Sequence, residues 1–186
     1  MCHLIILQCV GNKINGGGII PSDDYFLEDL GPTRNTIALN RGLILNNAQT
    51  LPAYIRYGAY VAIPDLRMLY RNINWPLAIT LINEEKLKIL IVSAYYGLIE
   101  YHTPIAYYDL QMDQVKRFWM QGNVLSNALS AYITNQPNIQ NTQAFLSNHY
   151  ADAINVAALG IPNQWIPYDR GGGVAMNCIN PFLATL

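Results

Sequence analysis

Apolar positions fall into a few short unbroken runs separated by polar, Gly-rich or Tyr-rich text. Residues 4 to 10, "LIILQCV", form a continuous, largely apolar run ending at Gly11, the pattern of a strand buried on both faces. Residues 88 to 97, "KILIVSAYYG", hold a β-branched run with no helical period that stops at a Gly, and they predict a second strand. Residues 153 to 159, "AINVAAL", predict a third buried strand, and 164 to 168, "QWIPY", a shorter one. Helical spacing is clearest over 114 to 133, where Val115, Phe118, Trp119, Gly122, Leu125, Leu129, Tyr132 and Ile133 form one stripe. Residues 51 to 75 predict two short helices broken at Pro64, with Tyr54, Tyr57 and Val61 on one face and Leu66, Leu69 and Tyr70 on another. Residues 12 to 32 are polar and Gly-rich and predict a loop, and Pro181 is expected to stop or kink a closing helix. The order strand, helices, strand, helix, strand predicts an α/β fold: a single domain over 1–186 with a mainly parallel central sheet flanked by helices.

Composition narrows the class. The chain has 186 residues, enough to bury a core without staples, and it is 52% apolar with only 12% charged residues. A net charge of -1 argues against a general polyanion binder, so contact with nucleic acid requires a local basic patch. Cys2, Cys9 and Cys178 match no zinc-ligand spacing and read as free thiols of a reducing compartment. The N-terminus lacks a basic leader region, and no apolar run approaches the roughly 18 residues of a membrane span. A cytoplasmic protein without membrane contact is expected, and no pattern calls for a metal or cofactor.

In a parallel sheet, ligands bind beyond the carboxyl ends of the strands, so the loops after the predicted strands should converge on one crevice. The first, "CVGNK", offers the Cys9 thiol, the Asn12 amide and the Lys13 ammonium, although a Cys9 that only packs and a solvated Lys13 fit the text equally. "GNKINGGG" is not a P-loop, since Gly17 stands where Lys is needed, and its spacing is not a dinucleotide fingerprint. The second loop, within "VSAYYGLIEYHTPIAYYDL", supplies Ser93, the flat faces of Tyr95 and Tyr96, a close backbone approach at Gly97, and the titratable groups Glu100, His102 and Asp109. His102 reads first as an exposed loop residue. Asp109, after Tyr107 and Tyr108, reads as a tuned carboxylate or as the N-cap of a helix starting near Met112. The third loop, "PYDRGGGVAMN", brings Arg170 and Gly171 to a helix start, either an anion site or a surface turn.

"SAYYGLI" followed by "PIAYYDLQM", with a strand running into "CVGNK" near the N-terminus, resembles the pattern of small YaaA-like proteins, the peroxide stress protein family. It is more distantly similar to the central domain of archaeosine tRNA-modifying enzymes. The resemblance covers about thirty residues in two blocks. It implies a three-layer architecture like that of uracil-DNA glycosylase, and it points to Cys9 and Lys13 in the first block and to Ser93, Tyr96, Gly97, Tyr108 and Asp109 in the second. The His-containing and water-activating motifs of the well-known uracil glycosylases are absent.

The expectation that follows is a nucleobase-directed N-glycosylase acting on DNA, on a modified base such as genome defence would present. Asp109 would stabilise the oxocarbenium-like sugar or orient water, and Asn12 would hold the departing base. Tyr95, Tyr96 and Tyr108 would stack the flipped base, while Lys13, Arg170 and the Gly-rich turns held flanking phosphates. Lys13 as a Schiff-base nucleophile is the alternative chemistry. A non-catalytic DNA- or nucleotide-binding stress protein and a nucleoside deoxyribosyltransferase remain as competing readings.

Overall fold

A strand of seven residues, β1 (Cys2–Gln8), sits inside a four-stranded sheet, paired in parallel with β4 (Leu87–Ser93) on one side and β7 (Ile139–Phe145) on the other. The structure is a computed structural model that describes residues 1–8, 14–15, 59–61, 74–101, 104–106, 111–164 and 179–186. Leu4 to Leu7 are buried throughout, as a strand covered on both faces requires. β5 (Gly97–Glu100) closes the outer side of β4 in the antiparallel sense, giving the order β5-β4-β1-β7. The sheet is therefore mixed, with three parallel strands and one antiparallel edge.

The described helices flank this sheet: α1 (Trp75–Asn83), α2 (Met112–Met120), α3 (Val124–Thr134), α4 (Asn148–Ile154) and α5 (Ile179–Leu183). α1 starts where the Asn74 side chain accepts from the Leu77 N–H, with Pro76 in its first turn. Asn74 is itself tied to the far end of the chain, because its N–H donates to Asn180 Oδ1 at 2.7 Å. A second, small sheet runs β2-β3-β6, formed by β2 (Ile14–Asn15), β3 (Ala59–Val61) and β6 (Pro104–Ala106). β2 and β6 are both antiparallel to β3, hence parallel to each other, and Ile14 and Pro104 flank Val61 in register.

Several sequence-based expectations change. The run at 153–159 is not a strand: α4 covers Asn148–Ile154 and ends at the left-handed Asn155 (φ 53°). The third parallel strand is instead "IQNTQAF", whose polar first half is partly exposed at the sheet edge, so its text carries no apolar run. The stripe over 114–133 does not belong to one helix, since Gly122 (φ 64°) and Asn123 (φ 55°) break it into α2, a 3₁₀ turn (Gln121–Asn123) and α3. Gly122 is exposed rather than on the buried stripe. Val61 lies on strand β3 rather than a helix, and Ile14–Asn15 form a strand inside the expected loop. Pro181 occupies the third position of α5, where a missing N–H costs nothing, instead of ending the helix. Of "QWIPY" only Gln164 is described; its N–H donates to Ala144 O beside a parallel bridge from Ala144 to Asn163.

At the amino end of β1, His3 stacks edge-on against Phe182 of α5 at 6.0 Å, and its Nδ1 is buried without a hydrogen-bond partner among the described residues. Burial, and secondarily the N-terminal ammonium, hold its pKa below the ordinary value of 6.5. Charging is thus disfavoured in the fold, while the unfolded chain takes up a proton normally. Stability contributed at this position is present above pH 6.5 and is lost as the pH falls below it. Urea midpoints measured at pH 7.5, 6.5 and 5.5 should fall more steeply for the native chain than for His3→Phe, and parallel curves would refute the assignment.

Candidate functional site

The chain passes from β1 to β4 on one side and then returns across β1 to β7 on the other. Such a reversal marks the place, at the carboxyl ends of the strands, where open α/β sheets bind ligands. Here that edge is formed by Gln8 at the end of β1, by the turn Ser93–Gly97 after β4, and by Leu146 and Ser147 after β7.

The turn after β4 is built by side chains of the quoted motif. Ser93 is fully buried, and its Oγ accepts from the N–H groups of Tyr95 (3.2 Å) and Tyr96 (2.9 Å). The chain thereby reverses, and Ser93 pairs with Gly97 at the start of β5. Trp119 of α2 seals the turn, donating its indole N–H to Ala94 O at 2.8 Å. Gly97 adopts φ 80°, and a Cβ there would stand 3.1 Å from two Trp119 ring carbons and 3.2 Å from Leu125 Cδ2. Its lack of a side chain makes room for the Trp119 ring, not for the backbone approach to a ligand expected from the text.

Tyr95 and Tyr96 also change meaning. They are 5% and 7% exposed and meet edge-on with centroids 4.7 Å apart. With their rings packed into the core cluster, neither presents an open face for stacking a base. Glu100 stands away from this edge. It lines a cleft of about 440 Å³ beside the amino half of β4, where it accepts from the Tyr132 hydroxyl at 3.3 Å and faces Lys88 and Tyr101. Lys88 Nζ donates to Gln136 Oε1 at 2.8 Å, and burial first, then Glu100, raises the pKa of Tyr101.

Cys9, Asn12, Lys13, His102, Tyr108, Asp109, Arg170 and Gly171 lie outside the described residues. The strands flanking residues 9–13 and the strand before residues 107–110 are described. Residues 9–13 join Gln8, level with Val92 in the large sheet, to Ile14 in the small one, and β6 leads directly into residues 107–110. Residues 9–13 thus join the large sheet to the small one, and residues 107–110 join the small sheet to α2. The N-cap of α2 is Gln111, whose N–H bonds Gln114 Oε1 at 3.2 Å, so the capping role considered for Asp109 is filled by another residue. No family model, curated protein or solved structure matches the chain. Among the described residues no group of three His, Cys, Asp or Glu side chains is arranged to hold a metal ion, and no helix is long and apolar enough to cross a membrane.

Sequence reasoning missed Gln8. It lies inside an apolar run and carries no motif, but it is only 9% exposed and its Oε1 accepts from the Ser147 N–H at 2.8 Å. A polar residue at the end of an otherwise apolar central strand was the available signal.

The turn predicts two stability effects. Gly97→Ala combines a left-handed backbone with overpacking against Trp119, and should cost about 2–4 kcal/mol in urea denaturation. Ser93→Ala removes the Oγ acceptor of two buried N–H groups and should cost about 1–3 kcal/mol. Losses under about 0.5 kcal/mol, the range of ordinary surface changes, would show that the turn is not held in this way.

Proposed function

We propose that the chain is a nucleobase-directed N-glycosylase of DNA, of YaaA-like type and with a three-layer architecture like that of uracil-DNA glycosylase, working at the carboxyl edge of the sheet on a modified base. The observation that carries this reading is a shared partner strand: Cys9–Lys13 leads into β2 and Tyr107–Asp109 follows β6, and both β2 and β6 pair with β3. Together a thiol, an amide, an ammonium, two Tyr and a carboxylate are groups that suit a flat polar ligand attached to a sugar.

In the proposed reaction water adds to C1′ of the deoxyribose as the bond from C1′ to the base nitrogen breaks; the electron pair leaves with the base, whose nitrogen takes up the proton that the water gives up on becoming the C1′ hydroxyl. Asp109 stabilises the positive sugar or orients the water, and Asn12 hydrogen-bonds the departing base. Stacking falls to Tyr108, because Tyr95 and Tyr96 are packed inside. Lys13 and Arg170, with Gly171 beside it, hold flanking phosphates. The burial of Ser93, Tyr95 and Tyr96 favours the second reading in one respect: a motif whose described residues shape a turn also suits a non-catalytic DNA- or nucleotide-binding protein.

Incubation with DNAs carrying different base modifications, followed by mass spectrometry for a released base, tests the proposal. A free base and alkali-labile sites are expected. Asp109→Asn should reduce release by about 100-fold or more, the scale of a lost electrostatic stabiliser, with DNA binding retained by anisotropy. A covalent adduct trapped by borohydride would assign Lys13 as nucleophile, and activity confined to mononucleosides would identify a deoxyribosyltransferase. Absence of released base from every substrate would leave the binding protein.

A further inference from the structure

The cleft of about 440 Å³ beside the amino half of β4 lies at the opposite end of that strand from the Ser93 turn. Its volume falls within the roughly 300–1,000 Å³ usual for small-molecule sites. Lys88 is two residues before Leu90 and Glu100 stands opposite Leu90, so both side chains leave the same face of the sheet, about 7–8 Å apart on the diagonal. Both are half-buried, and opposite charges so placed are within reach of each other. Lys88 nevertheless pairs with no carboxylate among the described residues. Its Nζ donates to the neutral Gln136 Oε1 at 2.8 Å and stands 6.0 Å from the centre of the Tyr132 ring, whose hydroxyl donates to Glu100. The buried Tyr132 of α3 is thus a neighbour that both charges share.

An ammonium carries three donors, and Lys88 uses one of them on an acceptor among the described residues, which suits it to an incoming anion. A bare anion would be opposed by Glu100 and by Glu85 at the exposed rim. A ligand that brings its own positive charge turns that opposition into attraction. We propose that this cleft binds a small zwitterion, an α-amino acid with an apolar side chain, with its carboxylate on Lys88, its ammonium toward Glu100 and its side chain against Ile82, Leu87 and Ile89. The site is separate from the carboxyl edge and does not depend on the nucleobase reading.

Leucine, isoamylamine and isocaproate are the probes, the second lacking the carboxylate of leucine and the third its ammonium. Binding to the full chain is read by ¹H–¹⁵N NMR titration at pH 7.5. Leucine should shift the amides of Leu87 to Ile89 and bind about tenfold or more tightly than either truncated probe, as one charge-assisted hydrogen bond at each end allows. In Lys88→Met, which keeps the apolar stem, leucine should bind no better than isoamylamine. In Glu100→Gln, which keeps an acceptor for Tyr132, it should bind no better than isocaproate. Melting temperatures near the native value would show that both variants fold, and the native comparison stands without them. Isocaproate binding as tightly as leucine would replace the zwitterion by a simple anion, and isoamylamine doing so would replace it by a cation; either overturns the proposal. So would failure of leucine to bind, or a leucine preference unchanged in both variants.

Discussion

The parallel pairing of β1 on both sides governs the rest of the structure. A strand hydrogen-bonded in parallel to two neighbours cannot be reached by tight turns, so long connections must leave its plane and return. The connection to β4 uses the text between residues 8 and 87, and the connection from β4 to β7 uses β5, β6, α2 and α3. Burial of Leu4, Ile5, Ile6 and Leu7 contributes roughly 1.5–3 kcal/mol per side chain to this arrangement. The same pairing places the reversal of strand order, and with it the candidate crevice, beside Gln8.

The Ser93–Gly97 turn shows how a motif can serve the fold before it serves chemistry. Without Ser93 Oγ the N–H groups of Tyr95 and Tyr96 would be buried with one partner fewer, and without Gly97 the Trp119 ring would lose its seat. The turn holds β5 against β4, and β5 fixes where residues 101–106 depart toward the small sheet. Ser93 and Gly97 at these positions therefore have a structural reason, in hydrogen bonding and in the room left for Trp119, and Tyr95 and Tyr96 are buried in the core.

The two apolar central strands were legible because a strand covered on both faces writes an unbroken apolar run. β7 was not, since it lies at the edge and its first half is partly exposed, so its sequence reads as polar loop. The Ala-rich run at 153–159 misled for the converse reason: short apolar text of that length fits a helix end and its turn as well as a strand. The break at Gly122 and Asn123 was hidden because the buried positions resume with helical spacing on its far side. At the site, residue chemistry was legible but exposure was not. Nothing in "AYYG" distinguishes rings that line a crevice from rings that fill a core; that depends on Trp119, placed over them by a helix some twenty residues later.

The small sheet bears on how tightly the two motif blocks are tied. Strands of two and three residues cannot stabilise a sheet on their own, so its register has to be imposed from the larger sheet. Chain reach limits the freedom available: Ile14 lies within about 20 Å of Gln8 and Pro104 within about 14 Å of Glu100. Gln8 and Glu100 are themselves about 12 Å apart, two strand spacings across and two residues along. With Ile14 and Pro104 both in register with Val61, the two spans join the sheets at neighbouring strands. Gln8, where the first span leaves the large sheet, is held by the Ser147 N–H, so its position is set by the strand pairing of β1 and β7.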